Sequence, residues 1–154
     1  MNNKIALYWW AFNPPTIWHF QVIQKLLTLK QVDKILFCPD WYREDKNYWI
    51  SCEKRIQLIN IFFQELINMW LNVELLDHFL NNNITTTTIW VDEYIKSKFD
   101  AEIFHIFWID VIDNIKNWSW NKNWVIQKNL NKIFLMRKWY KIWNLSEFDK
   151  YKII

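Results

Sequence analysis

A chain of 154 residues is one domain by size, long enough to build a core without staples. Its net charge of +3 comes from scattered basic residues, and its two cysteines, Cys38 and Cys52, fit neither a disulfide framework nor a zinc pattern. These features exclude a nucleic-acid patch and a disulfide scaffold; with no basic-then-apolar leader and no run of about 18 apolar residues, no membrane partner is expected and the expected location is the cytoplasm.

Residues 4–8 form an apolar run that predicts a first strand, followed by a loop over 9–17 that contains Pro14 and Pro15. Val22, Ile23, Leu26 and Leu27 then recur at helical spacing within 18–29. Residues 33–38 read as a buried strand, and a polar loop, 39–50, leads to a helix capped by Ser51. In that helix Ile56, Ile59, Phe62, Phe63, Leu66 and Ile67 make the apolar face. A third strand is predicted at 72–76, a polar loop at Asn81 to Asn83, a helix from Thr85 to Lys98 and a fourth strand at 102–107. Helical stretches near 109–116 and 119–129 precede a fifth strand at 132–137. Strands alternating with helices predict a Rossmann-like, doubly wound α/β domain: a parallel sheet of about five strands with flanking helices. Ligands of such sheets bind at the carboxyl ends of the strands, and the loop 9–19 leaves the first strand at such an end.

The composition contains no glycine and 13 tryptophans. At a usage of about 7%, roughly 11 glycines are expected, and turns with positive φ are where glycine is hardest to replace. The tryptophans fall at such places. Trp9 and Trp10 follow the first strand, Trp41 follows Asp40 at a turn, Trp70 stands at a helix end, and Trp139 and Trp143 lie in a polar loop. We read most of them as standing where the natural protein has glycine, as when a gene that reads UGA as glycine is translated with UGA as tryptophan. The richness in Asn, Ile and Lys suits an AT-rich gene of that kind.

With glycine at 10 and 18, the segment Trp10-Ala11-Phe12-Asn13-Pro14-Pro15-Thr16-Ile17-Trp18-His19 resembles the nucleotidyltransferase signature Gly-x-Phe-(Asp/Asn)-Pro-x-(His/Thr)-x-Gly-His. Such a turn lets backbone N–H groups approach triphosphate oxygens, and the following helix offers its positive end to them. His19 and Thr16 are the candidate catalytic residues, each able to donate a hydrogen bond to phosphate. Trp9, Trp10, Ala11, Phe12, Trp18 and His19 would line the ATP cradle. Further segments are similar to the nicotinate-mononucleotide adenylyltransferase family within that superfamily: Trp108-Ile109-Asp110, Asn83 to Ile89, and Arg137-Lys138-Trp139-Tyr140.

The resemblance, which runs through residues 4–143, implies adenylyl transfer from ATP to nicotinate mononucleotide, giving deamido-NAD and pyrophosphate, with Mg²⁺ carried on ATP and no protein metal ligand. By the same resemblance Trp108 and Asp110 join the ATP site, Asp110 at a ribose hydroxyl or as a helix N-cap. Trp118 either stacks on the pyridine ring or is another glycine position. Thr85 holds the nicotinate carboxylate or caps a helix. Lys46, with Arg43, faces phosphate or sits in a solvated loop, and Arg137 is structural rather than catalytic. The family's C-terminal Ile-Ser-Ser-Thr-x-x-Arg segment has no counterpart, so a domain lacking its C-terminal piece is expected. The alternatives are a pantetheine-phosphate-type nucleotidyltransferase, a Trp-rich binding module that reads sugars or single strands by stacking, and a chain inactive as written.

Overall fold

A computed structural model describes residues 3–42, 47–112, 130–137 and 151–154. The elements are β1 (Lys4–Trp10), α1 (Ile17–Thr28), β2 (Lys34–Pro39), α2 (Cys52–Asn68), β3 (Val73–Leu75), α3 (His78–Asn81), α4 (Thr88–Lys98), β4 (Glu102–Trp108), β5 (Lys132–Leu135) and β6 (Tyr151–Ile153). One sheet holds all six strands in the order β3-β2-β1-β4-β5-β6, with every pairing parallel. This is a doubly wound α/β fold, and its strand order reverses between β1 and β4, where ligands of such sheets bind.

The period-two alternation of the strands assigns the two faces. Ala6 and Tyr8, Ile35 and Phe37, Phe104 and Ile106, and Ile133 and Leu135 turn to one side and pack on Val22, Ile23 and Leu26 of α1 and Ile59 and Leu66 of α2. Ile5 and Leu7, Leu36 and Cys38, and Ile103 turn to the other, against Phe79 of α3 and Val91 and Ile95 of α4. Cutting one of these fully buried aliphatics to alanine costs about 2–5 kcal/mol.

The sheet has six strands rather than five. The segment Tyr151–Ile153 is too short to announce itself and becomes a strand by pairing with β5, Ile133 opposite Lys152. The first strand runs two residues further than its apolar run, through Trp9 and Trp10, which the sequence places in a loop. Helix α4 starts at Thr88, not Thr85: Thr87 is the N-cap and its hydroxyl accepts from Trp90 N–H at 3.5 Å. Ser51 caps α2, accepting from Lys54 N–H at 3.3 Å, as its side chain predicts. Ile67 is exposed, whereas Arg55 takes a place on the buried stripe of α2.

Three helices end in the same left-handed turn. After α1, α2 and α3 the chain passes through Lys30, Trp70 and Asn83 at φ of 52°, 57° and 57°. Each closes a Schellman pair; for α2, Trp70 N–H donates to Ile67 O at 2.9 Å and Leu71 N–H to Leu66 O at 3.3 Å. Glycine or asparagine is favoured at that position. Trp70 occupies it 95% exposed, so its indole gains no burial in return. Trp41, by contrast, is not among the positive-φ residues, so the backbone there makes no demand for glycine.

Candidate functional site

The carboxyl ends of β1, β2, β4 and β5 meet at one edge of the sheet. Asp40 N–H donates to Trp10 O at 3.1 Å, joining the exits of β1 and β2, and Ile109 N–H donates to Leu135 O at 3.0 Å, joining those of β4 and β5. The segment Ala11 to Thr16 leaves β1 here and turns into α1. Phe12 lies at φ 45°, the left-handed region that costs a non-glycine residue about 1–3 kcal/mol. Burial offsets that strain: the Phe12 ring is packed on Phe37 at 3.9 Å, His19 at 5.0 Å and Tyr8 at 5.3 Å between centroids.

Thr16 is the N-cap of α1 and His19 its third residue. His19 Nδ1 accepts from Thr16 N–H at 2.9 Å, the reach-back of a helix-start side chain to the cap backbone, and Thr16 Oγ1 lies 2.9 Å from the same nitrogen. An accepting Nδ1 puts the proton of the neutral ring on Nε2. Burial lowers the His19 pKa from 6.5 to about 4, so the imidazole is neutral at pH 7. The result is a fixed neutral N–H donor in the first turn of a helix, where unpaired backbone N–H groups and the helix dipole also favour an anion.

Trp9 and Trp10 extend β1 into this edge, Trp9 packing toward the α4 face and Trp10 toward the α1 face. Their φ values make no demand for glycine; what glycine would supply here is room for a ligand against the backbone. The indole Nε1 of Trp10 is buried with no hydrogen-bond partner among the described residues, an arrangement that costs about 1–3 kcal/mol. Trp18, the second residue of α1, is 66% exposed and stands at the helix start that anions approach.

On the other side of the switch point, Trp108 ends β4 and Asp110 follows in the turn. Asp110 Oδ2 accepts from Arg137 Nη1 at 3.1 Å, and the Arg137 guanidinium lies 4.9 Å from the Trp108 ring centre. Arg137 thus pairs with Asp110 at this edge. The structure brings Trp9, Trp10, Ala11, Phe12, Thr16, Trp18, His19, Trp108 and Asp110 to one edge of the sheet. Thr85 is an exposed residue of the segment before α4, two positions ahead of the N-cap Thr87. Lys46, Arg43, Trp118, Trp139, Tyr140 and Trp143 lie outside the described residues. Among the described residues no group of three or more His, Cys, Asp or Glu could hold a metal ion, and no helix is long and apolar enough to cross a membrane.

A buried cluster that the sequence did not single out underlies this edge. Arg55 of α2 is 1% exposed. Its Nη1 donates to Ala11 O at 3.2 Å and to Asp40 Oδ1 at 3.3 Å, and its Nη2 donates to Asp40 O at 2.7 Å and to Trp41 O. Tyr48 lies under the guanidinium at 4.7 Å, and its hydroxyl donates to Asp40 Oδ1 at 3.1 Å. Burial first, then the Asp40 charge, pushes the Tyr48 pKa up to about 12. The available signal was spacing: Arg55 stands four residues before Ile59 and eleven before Leu66, on the stripe that is buried.

No protein-family model matches the chain. It is 23% identical over 147 residues to a curated protein of Aliarcobacter butzleri named as a nicotinate-nucleotide adenylyltransferase, across 94% of this chain and 78% of that one. A second relative under the same name, from Sulfurimonas denitrificans, is 25% identical over 118 residues, 76% of this chain and 62% of its own. Among solved structures, the Plasmodium falciparum nicotinic acid mononucleotide adenylyltransferase complexed with NaAD superposes with a TM-score of 0.78 at 21% identity, over 99% of this chain and 74% of that one. That likeness shows the fold.

Proposed function

We infer that this chain, a relative of the nicotinate-nucleotide adenylyltransferases, is an enzyme that transfers the adenylyl group of ATP to nicotinate mononucleotide. The 5′-phosphate of the acceptor attacks the α-phosphorus of ATP, the bond to the β-phosphate oxygen breaks, and pyrophosphate leaves with that electron pair. Deamido-NAD is the other product, so the reaction belongs to NAD synthesis. No side-chain nucleophile is needed, and catalysis is positioning and charge stabilisation.

The observation that carries this reading is His19: a neutral imidazole, clamped through Nδ1 by the helix cap, at the switch point of a doubly wound sheet. Its Nε2–H is the donor we assign to the triphosphate, with Thr16 beside it, and the backbone of Trp10, Ala11 and Phe12 as the cradle. Magnesium would arrive on ATP as part of the substrate and share the charge of the triphosphate. Asp110, held by Arg137, is assigned to a ribose hydroxyl of the nucleotide, and Thr85, Trp118 and Lys46 to the acceptor side. Two free cysteines suit the cytoplasm in which we place the reaction.

We also propose that the natural residue at 9, 10, 18, 70 and 108 is glycine. The exposed, left-handed Trp70 and the unpartnered buried indole nitrogen of Trp10 support this. With indoles in the cradle, phosphate would be kept from the backbone and the literal chain would be inactive. The coding DNA tests it: UGA codons at these positions are expected, and UGG codons would end the proposal.

Activity is tested by pyrophosphate release from ATP or CTP with each of two acceptors, on protein made with the gene's own codon reading. Turnover with ATP and nicotinate mononucleotide is expected. Turnover with phosphopantetheine instead would move the chain to the pantetheine-phosphate branch.

A further inference from the structure

We propose that Arg55 is a positioning residue for the transfer: from inside α2 it sets the peptide between Ala11 and Phe12 so that the Phe12 N–H faces the ATP phosphates. This rests on the reading of the edge as an adenylyl-transfer site. The guanidinium does more than neutralise Asp40. Three of its four hydrogen bonds go to main-chain carbonyls, those of Ala11, Asp40 and Trp41, in the two loops that leave β1 and β2. A planar fork with fixed donors dictates the orientation of the peptides it binds, which a flexible ammonium does not.

In a trans peptide the C=O of one residue and the N–H of the next point in opposite directions. Fixing Ala11 O toward the buried Arg55 therefore aims Phe12 N–H away from it, toward the open side of the loop. It also turns the negative end of that peptide dipole away from incoming phosphate. Phe12 is the residue whose left-handed backbone must be held by its surroundings. Its ring is held by Phe37 and Tyr8, and its preceding peptide by Arg55. A second tie, from Asn13 Nδ2 to Asn47 O at 3.1 Å, joins the same two loops further out. The distance from Arg55 to the cradle is one peptide, so the effect falls on geometry rather than on contact with substrate.

The test uses the full chain, made with its gene's own codon reading, as wild type, Arg55→Lys and Arg55→Met. Melting temperature, kcat and both KM values are measured, and ATP is titrated into ¹⁵N-labelled protein while the Phe12 amide is followed. Arg55→Lys keeps the buried charge and loses the fork. We expect its kcat to fall on the order of 10–100-fold, as loss of sub-ångström positioning does, with the KM for nicotinate mononucleotide within about twofold of wild type. The Phe12 amide shift on ATP binding, present in the wild type, is expected to be lost. A folded Arg55→Lys or Arg55→Met with wild-type kcat would overturn the proposal. If neither variant folds, the wild-type titration decides: a Phe12 amide indifferent to ATP while the His19 amide responds sinks it. Wild type that binds ATP through Phe12 yet releases no pyrophosphate with nicotinate mononucleotide would refute the proposed acceptor and leave Arg55 its role.

Discussion

Two buried charge clusters lie on opposite faces of one sheet, and they differ in what they hold. On the α1–α2 face, Arg55 joins Asp40 and the carbonyls of two loops at the carboxyl edge. On the α4 face, His105 in the middle of β4 donates from Nε2 to Asp92 Oδ1 at 2.8 Å, and Lys96 reaches Asp92 Oδ2 at 2.7 Å one helical turn on. The second cluster ties a helix to a strand and touches no loop of the site. Burial works against the Asp92 charge, but hydrogen bonds from His105 and Lys96 outweigh it and lower its pKa. Burial lowers the His105 pKa, with the Asp92 bond opposing, so the imidazole is neutral and Lys96 carries the positive charge. The same kind of interaction therefore serves geometry in one place and attachment in the other, according to whether its partners are loop carbonyls at the site or side chains within the framework.

The comparison breaks at the site itself if His19→Ala does not slow the reaction. Loss of that donor is expected to cut kcat per folded molecule by about 10²–10³, or roughly 3–4 kcal/mol, in steady-state kinetics. Near-normal turnover would remove His19 from the mechanism. Asp92→Ala should do the reverse. It leaves the buried His105 Nε2–H without its acceptor, which costs about 1–3 kcal/mol of stability, read by urea unfolding, while kcat per folded molecule stays near wild type. A folded Asp92→Ala with kcat reduced as far as in His19→Ala would erase the distinction between the faces.

Acid sharpens the contrast. His19 titrates near 6.5 unfolded and about 4 folded, and His105 is also lowered, so between these values the unfolded chain binds more protons. Stability is therefore complete above pH 6.5 and is lost as the pH falls toward 4. Melting temperatures at pH 7.5, 5.5 and 4.5 should decline in that order, and His19→Asn should flatten the slope. An unchanged slope would place the acid sensitivity elsewhere. The smallest effect is at Trp70. Replacing it by glycine in its left-handed, exposed position should stabilise the chain by about 1 kcal/mol, raising the urea midpoint without changing kcat; destabilisation would contradict the glycine reading there.

Much of the framework was legible because it is local. The apolar run in β1, the buried run in β2, the helical spacing of α1 and the Ser51 cap are properties of a few neighbouring residues. The motif of the first loop is local too, since Pro14, Pro15, Thr16 and His19 stand at fixed offsets within one segment. Less local features went unseen or shifted. β6 exists because β5 offers an unpaired edge to Tyr151–Ile153, and α4 starts at Thr88 because Thr87, not Thr85, reaches an unpaired helical N–H.

By itself the sequence predicted a doubly wound sheet and a first loop that resembles a phosphate-binding one, and it pointed to tryptophans at turns where we propose natural glycines. Trp70 has the left-handed backbone that favours glycine, while Trp9, Trp10 and Trp41 carry no such backbone demand. Only the tertiary structure decided which charges go inside. Arg55 and Asp40 are 15 residues apart and Arg55 and Ala11 are 44 apart, and His105 hides in a strand that reads as apolar. The physical reason is that a buried charge is stabilised only by partners that folding brings to it, and no local pattern names those partners.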